Sequence, residues 1–443
     1  DNTDGTFKAS SISFWSAGGA ADGGSIGAGG ANSQMPAKND RKLYTYTGTT
    51  TDLTNASNAL KINATNSALT PTMLGLSTTT ESDAAITAAR ERKMNDPLHS
   101  KPALVSYGGT EANPKLTLFV ATNGGFLHAI NAGDDPTLAK GEERFAFMPK
   151  ELLTNLDTLA NNSGSHPYGL DGDVTAWVND INGDADVSDT GEHAYVYVGM
   201  RRGGNNYYAL DVTDPNAPTL KWVIKGGPGG TTGFSELGQS WSRPEVTTIK
   251  YGTGTKTVLI FGGGYDTAQD ANPVNANDTI GRAIFIVDAD TGAKLWQADS
   301  TVISTMTNSI PSDIKLLDSD FDGHTDRLYV GDMRGQIFRV DLNPTLANST
   351  GVRLANLGSQ NATDAINNRR FYYPPDVVMT QPQQAGVEPY ISVNIGSGYR
   401  SHPLNSIAAG AVRVNDRFYS LRDPHVFNAA PSNFPAITHK NTD

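Results

Sequence analysis

Short apolar runs separated by glycine turns recur along most of this chain. From residue 100 onward, an incoming strand follows a Pro or Gly and a strand–turn–strand hairpin comes next, with a period of roughly 70 residues. The runs are rich in Val, Ile, Tyr and Phe, and the second strand tends to close on Asp or Asn, as in antiparallel sheets. The predicted hairpins cover residues 116–131, 194–212, 258–287, 327–341 and 389–421.

Five recurring units predict an all-β fold of the β-propeller type, because radial repetition protects the edges of each sheet. We expect residues 1–443 to form a single propeller domain, with clearly repeated blades in 100–423. Residues 1–99 are predicted to be loop-rich and to contribute to ring closure. Within them, Ser16–Gln34 and Thr49–Thr80 have loop composition, and Ala84–Lys93 has the pattern of a short helix.

Composition narrows the classes of ligand. The net charge is −12, so nucleic acid and anionic membrane surfaces are unfavourable partners, whereas cations are favourable ones. The chain has no cysteine, which excludes disulfides and thiolate metal sites. No apolar run approaches the roughly 18 residues that a membrane span needs. Because the chain starts at Asp1 and not at Met, we expect it to be a processed or trimmed fragment.

The strongest local motif is D-x-D-x-D-G-x-x-D, between the predicted strands at 314–316 and 327–330. Oxygen ligands at alternating positions of such a loop wrap Ca²⁺, and the glycine permits the sharp turn. The position where an EF-hand places a bidentate Glu is Tyr329, so the loop resembles an EF-hand loop between strands. An empty solvated turn is the alternative, but four carboxylates within nine residues repel one another. The predicted ligands are Asp318, Asp320, Asp322, His324 through its backbone carbonyl, and Asp326.

A less regular acidic loop, Asp180–Asp189, occupies the equivalent stage of an earlier repeat and is a weaker candidate for a second cation. A plain polar turn is its alternative. The eight histidines show no metal spacing, and His128 is expected to be packed or hydrogen-bonded. No G-x-S-x-G motif is present, so the sequence favours a non-enzymatic protein.

Seven longer segments carry a more specific signal than any single motif: residues 41–48, 95–102, 122–130, 202–215, 241–244, 261–265 and 326–335. They span nearly the whole chain. In sequence and in order, these segments resemble the C-terminal domain of the PilC/PilY family of type IV pilus tip-associated proteins.

This resemblance implies a modified seven-bladed β-propeller with long loop insertions, and a calcium loop that matches the five predicted ligands. It further implies a role at the bacterial surface, at the pilus tip, outer membrane-associated or secreted, in pilus biogenesis, twitching motility, surface attachment and virulence. The implied partners are minor pilins of the tip complex, and we expect the insertions Gly226–Ser242 and Asp266–Arg282 to be contact loops. Family members usually carry an N-terminal von Willebrand A-like domain, but its D-x-S-x-S motif does not occur here. Host-cell contact is therefore assigned to a region outside these residues.

Two other functions compete with this interpretation. The segment Asp288–Trp296 resembles a docking motif of quinoprotein (PQQ) dehydrogenases, but it occurs clearly once, and the paired cysteines of many such enzymes are absent. We expect Trp296 to serve blade packing. An integrin-like or sugar-binding propeller without a pilus role is the third possibility.

Overall fold

The computed structural model describes residues 2–25, 29–383, 386–401, 403 and 412–438. Strands dominate this part of the chain, which divides into two compact units. Unit 1 comprises residues 1–203 and 208–223, and unit 2 comprises residues 204–207 and 224–443. Among the described residues, none of the helices combines the length and the apolarity that crossing a bilayer requires.

Unit 1 contains two sheets. The first holds β1 (Leu43–Thr45), β2 (Ala103–Gly109), β3 (Pro114–Ala121), β4 (Leu127–Asn131) and β5 (Glu143–Met148), in the order β1-β5-β4-β3-β2. The second holds β6 (Val174–Asn179), β7 (His193–Gly199), β8 (Tyr207–Asp211) and β9 (Thr219–Ile224), in chain order. Every residue of β4 and β5 is buried, so buried and exposed positions do not alternate along these two strands.

Unit 2 contains three sheets. The first is β10 (Glu245–Tyr251), β11 (Gly254–Gly262), β12 (Ile284–Asp288) and β13 (Lys294–Ala298). The second is β14 (Lys315–Leu317), β15 (Arg327–Gly331), β16 (Gln336–Asp341) and β17 (Thr350–Asn356). The third is β18 (Asp376–Thr380), β19 (Tyr390–Gly396) and β20 (Phe418–Asp423). Finally, β21 (Ile437–Thr438) adds a fifth strand to the sheet of β14–β17.

All five predicted hairpins are present, which confirms the all-β interpretation. The described residues form five sheets, so the seven-bladed count stays a prediction, as does the single-domain organisation. The sequence reading missed the fourth strand of several sheets, namely β5, β9, β13 and β17. Trp296 lies on β13 and packs against an apolar cluster that its own sheet forms with the sheet β14–β17, as expected.

The described residues form three α-helices, α1 (Gly30–Gln34), α2 (Thr79–Glu91) and α3 (Leu156–Asn161), besides short 3₁₀ helices. The predicted helix 84–93 is thus real but begins five residues earlier, because Thr78 and Glu81 form a reciprocal capping box at its start. In the predicted loop 16–34, α1 forms the last turn, and residues 26–28 lie outside the described residues.

A strand from a distant part of the chain closes one sheet in each unit. In unit 1, β1 pairs in parallel with β5, and in unit 2, β21 pairs in parallel with β17. All the other strand pairings of these two sheets are antiparallel. Residues 1–99 therefore contribute a strand to the first sheet, although they are otherwise loop-rich as expected.

A buried ion-pair network fastens the start of β1 in unit 1. Arg41 donates from Nε and Nη2 to the two carboxylate oxygens of Glu143, at 2.7 and 2.9 Å. His128 Nδ1 lies 2.7 Å from the same carboxylate, and His128 Nε2 lies 3.3 Å from the Thr122 hydroxyl. His128 is therefore buried and hydrogen-bonded, as predicted. A bidentate pair of this kind supplies orientation as well as energy.

A second network lies in unit 2. Arg339 donates to Asp341 Oδ1 at 2.7 Å and to Asp423 Oδ2 at 2.6 Å, and both Arg339 and Asp423 are fully buried. The same guanidinium also donates to the carbonyl oxygens of His425 and Asn428, at 2.8 and 2.6 Å. Arg339 thus joins β16 to β20 and to the segment that leads to β21.

The Glu143 network predicts a pH dependence in unit 1. Burial raises the pKa of the Glu143 carboxyl, but hydrogen bonds from His128 and Arg41 outweigh burial and lower the pKa from 4.5 to about 2. A carboxyl with a lowered folded-state pKa stabilises the fold above its unfolded pKa, and this stabilisation is lost as the pH falls through the folded pKa. We therefore expect the free-energy difference between the native chain and Glu143→Gln to shrink between about pH 4.5 and about pH 2. Urea unfolding followed by tryptophan fluorescence measures it.

The control for this experiment is Glu142→Gln, which changes the neighbouring, less buried carboxylate. Its free-energy difference from the native chain should vary little over the same pH range. A difference for Glu143→Gln that stays constant with pH would show that the network does not hold the carboxylate ionised.

Candidate metal centre

The predicted calcium loop, residues 318–326, connects the antiparallel strands β14 and β15. Two of its residues adopt left-handed backbone angles, Phe321 with φ of +62° and Gly323 with φ of +88°. Glycine takes this conformation without a steric cost, so Gly323 allows the sharp turn as predicted. Phe321 has a Cβ in the same backbone region and the residue is 75% exposed, so no burial offsets this strain.

Two aspartates shape the loop through backbone hydrogen bonds. Asp318 accepts from the N–H groups of Asp322 and Gly323, at 3.2 and 2.8 Å. Asp326 accepts from the backbone N–H and the hydroxyl of Ser319, at 3.0 and 2.7 Å. The first and last carboxylates therefore fold the chain back on itself, in addition to any role as ligands.

Three of the predicted ligands come together. Asp318, Asp320 and Asp326 each offer a carboxylate oxygen, and these oxygens lie within 4.8 Å of one another. Asp322 is not in this group, and its carboxylate forms an ion pair with Lys250. The His324 N–H donates to Asp322 Oδ1 at 3.0 Å, and the carbonyl role of His324 stays a prediction.

Lys250 is a basic residue of the site that the motif does not contain. It lies on β10, and its ammonium contacts Asp322 and, at 3.4 Å, Asp320 Oδ2. The hydrogen bond from Lys250 lowers the pKa of Asp322, and the same bond raises the pKa of Lys250. Sequence reasoning missed Lys250 because a motif search reads neighbours in the chain, whereas this contact joins two sheets.

The loop is anchored to the same neighbouring strand by neutral groups. The Thr325 N–H donates to the Thr248 carbonyl oxygen at 2.9 Å, and the hydroxyls of Thr247 and Thr325 lie 2.7 Å apart. Thr325 is buried. The C-terminal half of the loop is therefore attached to β10 independently of Lys250.

The weaker candidate, Asp180–Asp189, follows the same backbone plan between β6 and β7. Gly183 and Ala185 have φ of +77° and +68°, at the loop positions that Phe321 and Gly323 hold in the other loop. Asp180 accepts from the N–H groups of both residues, at 2.6 and 2.8 Å. Asp318 likewise accepts from the sixth residue of its own loop, but its second donor is the fifth residue, Asp322. The irregular position of the glycine in the sequence thus hides a similar geometry.

Glu192 takes the place of Asp326 in this second loop. Its carboxylate accepts from the N–H groups of Ile181 and Asp189, at 2.9 and 3.1 Å, and Ile181 is the second loop residue, as Ser319 is in the other loop. Glu192 was missed because it lies outside the predicted span. The available signal was its position immediately before the second strand, which Asp326 shares.

The two loops differ in how their carboxylates are used. Asn182 Nδ2 donates to Asp184 and Asp189, at 3.1 and 2.7 Å. Across the residues that the structure describes, the Asp318 group is the one set of three metal-type side chains whose ligand atoms lie within 4.8 Å of one another. The second cation site therefore stays a prediction with weaker geometric support.

Comparison with known proteins places the chain in a family. A family model described as the PilY1 beta-propeller domain matches residues 84–368, more than half of the chain. The chain belongs to the PilY1 β-propeller family. The matched region contains both acidic loops and the strands on either side of them.

Relatives and a solved structure agree with this assignment. The type IV pilus biogenesis factor PilY1 of Pseudomonas aeruginosa PAO1 is 30% identical over 51% of the chain, and a PilY1 homologue of Xylella fastidiosa is 29% identical over 54%. Each match covers 17% of the length of the relative. The crystal structure of the P. aeruginosa PilY1 C-terminal domain has a TM-score of 0.50 and 22% identity, and the match covers 74% of this chain and 60% of that one. The likeness to this crystal structure supports the β-propeller fold.

The family also bears on the non-enzymatic interpretation. The relatives are named as biogenesis factors and not as enzymes, which agrees with the absence of a nucleophile or metalloprotease motif in the sequence. The competing quinoprotein interpretation rested on the segment 288–296, where the structure shows the turn from β12 into β13. In that turn, Asp288 accepts from the N–H groups of Asp290 and Thr291, and it also accepts from Lys256 on β11.

The position of Glu192 predicts a local effect on the second loop. We expect Glu192→Ala to raise the amide exchange rates of Ile181 and Asp189 by roughly tenfold, because each N–H loses a hydrogen bond to a charged acceptor. Hydrogen–deuterium exchange with peptide-level mass spectrometry measures this rate. The control is Asp186→Ala, which removes the acceptor of the Ser188 N–H and should leave Ile181 unchanged. Equal exchange at Ile181 in the native chain and in Glu192→Ala would contradict the assignment.

Proposed function

We propose that this chain is the calcium-binding β-propeller of a type IV pilus biogenesis factor. In this proposal one Ca²⁺ in the loop 318–326 regulates pilus extension and retraction, and with them twitching motility and surface attachment. The observation that carries the calcium part is the convergence of the carboxylates of Asp318, Asp320 and Asp326. The pilus part is supported by membership of the PilY1 family.

The chemistry of the loop favours Ca²⁺ over other cations. All the predicted ligands are oxygens, the donor type that Ca²⁺ and Mg²⁺ take in proteins. Ca²⁺ accepts six to eight oxygens in flexible geometry, whereas Mg²⁺ needs near-octahedral geometry and keeps several waters. A loop of aspartates at alternating positions, with one backbone carbonyl, suits the flexible geometry. Asp322 and the His324 carbonyl would complete the ligand set in the bound state.

The ligand would act by ordering the loop. A cation shifts a conformational equilibrium only if it binds one state more tightly than the other. In the proposed mechanism, Ca²⁺ draws the carboxylates of Asp320 and Asp322 inward and fixes the exposed turn between them. The partner at the pilus tip then meets an ordered surface in the presence of Ca²⁺ and a looser one in its absence.

The proposed partners are minor pilins of the tip complex, at the bacterial surface, with the protein outer membrane-associated or secreted. The insertions 226–242 and 266–282 remain the candidate contact loops, but only part of each is accessible. Phe234 and Leu237 are buried in the first, and Gln269 and Asp278 are buried in the second. A docking surface there would use exposed residues such as 275–277.

The metal site is tested by calorimetric titration with Ca²⁺, with Mg²⁺ as competitor. We expect the native chain to bind Ca²⁺ in the loop 318–326 with a Kd on the order of micromolar or tighter, and Asp318→Ala and Asp326→Ala to lose this binding. Asp180→Ala is the matched control, because it removes the corresponding carboxylate of the second loop. If it lowers the number of bound ions from two to one, the second loop is also a site. Identical titrations for the native chain and the Asp318→Ala and Asp326→Ala variants would contradict the proposal.

The regulatory role is tested in cells that carry the full-length protein. We expect Asp318→Ala to alter twitching zones and surface piliation in the same direction as calcium depletion does for the native protein, because both leave the loop empty. Asp180→Ala is again the control. Normal pilus retraction combined with lost binding to a glycan array would instead support the sugar-binding alternative.

A further inference from the structure

The position of Lys250 bears on how the loop exchanges its cation. Lys250 lies on β10, in the sheet β10–β13, whereas the acidic loop belongs to the sheet β14–β17. Its ammonium pairs with Asp322 and lies 3.4 Å from Asp320 Oδ2. These are two of the five oxygen donors that the loop motif assigns to a metal. A positive charge of the chain itself therefore occupies part of the predicted ligand set.

We propose that Lys250 is a built-in competitor of the divalent cation, which must leave Asp320 and Asp322 before the metal can be fully coordinated. This inference rests on the proposed function, since it concerns the regulation of the same site. In this exchange the carboxylate oxygens of Asp320 and Asp322 coordinate the metal, and the Lys250 ammonium moves into solvent. The apparent Kd for metal is then the intrinsic Kd divided by the fraction of molecules in which the lysine has left the carboxylates.

The geometry of the loop indicates that a metal can replace the Lys250 ammonium without unfolding the loop. The turn is held by hydrogen bonds that do not involve Lys250: the Gly323 N–H donates to Asp318, and the Ser319 N–H donates to Asp326. The loop therefore keeps its course when the ammonium leaves. The lysine can leave readily, since 47% of its side chain is exposed, as is 54% of the Asp320 side chain. Exposed ion pairs are weak, so a well-coordinated divalent ion outcompetes them.

Displacement would also change the contact between two neighbouring sheets. With Lys250 engaged, β10 is joined to the loop by an ionic contact and by the bonds of Thr247 and Thr248 to Thr325. With the metal bound, only the threonine contacts remain. The cation therefore loosens one link between the sheets while it tightens the loop, and Lys250 becomes free to meet solvent or a partner.

The first test compares the calcium affinity of two lysine variants by calorimetry. Lys250→Met removes the competitor. Lys256→Met removes the same charge from β11, where Lys256 pairs with Asp288 at 2.6 Å, outside the loop. We expect Lys250→Met to bind Ca²⁺ roughly three- to tenfold more tightly than the native chain, and Lys256→Met to bind like the native chain.

The outcomes separate this inference from the proposed function. If the native chain binds Ca²⁺ and Asp318→Ala does not, but Lys250→Met has native affinity, the competition is wrong and the calcium site stands. If Lys250→Met binds Ca²⁺ and the native chain does not, the lysine blocks the site completely and the inference holds. If neither binds, both proposals fail.

A second test uses the native chain and needs no folded variant. Brief labelling with an amine-reactive reagent, followed by peptide mass spectrometry, reports how accessible each lysine is. We expect the labelling rate of Lys250 to rise when Ca²⁺ is added and that of Lys256 to stay constant. An unchanged rate for Lys250 at saturating Ca²⁺ would overturn the displacement.

Discussion

Two buried guanidinium groups hold distant parts of this chain together, and the rest of each unit depends on them. In unit 1, Arg41 pairs with Glu143, about a hundred residues later in the sequence. The entropy cost of closing such a long loop grows only slowly with its length. Arg339 reaches Asp423 and the carbonyls beyond it in unit 2. A buried charge without its partner is strongly destabilising, so loss of one member of either pair would destabilise the whole unit. In both units the network accompanies a parallel strand that closes a sheet.

The acidic loop takes its rigidity from the second of these networks. Asp326 is followed directly by Arg327, whose guanidinium donates to Asp341 Oδ1 at 2.9 Å and to the Val426 carbonyl oxygen at 2.8 Å. Asp341 is in turn a partner of Arg339. The last carboxylate of the loop is thus one residue away from a buried cluster that spans β15, β16 and the C-terminal segment. This rigid base leaves the exposed turn near Phe321 as the part of the loop that a ligand can order.

Local signals account for what could be predicted from the sequence. The hairpins were visible because apolar runs and glycine turns are adjacent in the chain, and the acidic loop because the spacing of its aspartates is regular. Strands β5, β13 and β17 were not visible, since their pairings with β4, β12 and β16 contain register shifts that break a simple alternation. Lys250 was invisible for a different reason, since its role exists only once β10 lies beside the loop. Glu192 shows an intermediate case, in which a carboxylate displaced along the chain fills the same structural position.

The parallel strand β21 also affects the order in which the sheets are completed during synthesis and folding. Strand β17 ends at Asn356, but its parallel neighbour starts at Ile437, about eighty residues later. Contacts between residues so far apart form slowly, because the intervening chain must be brought together first. A chain that emerges from its N-terminus can therefore complete the sheet of β1–β5 early. The sheet that carries the acidic loop keeps an open edge until residues 437 and 438 arrive. During that interval the exposed edge of β17 is open to pairing with other extended chains, so a chaperone bound there would protect the nascent protein.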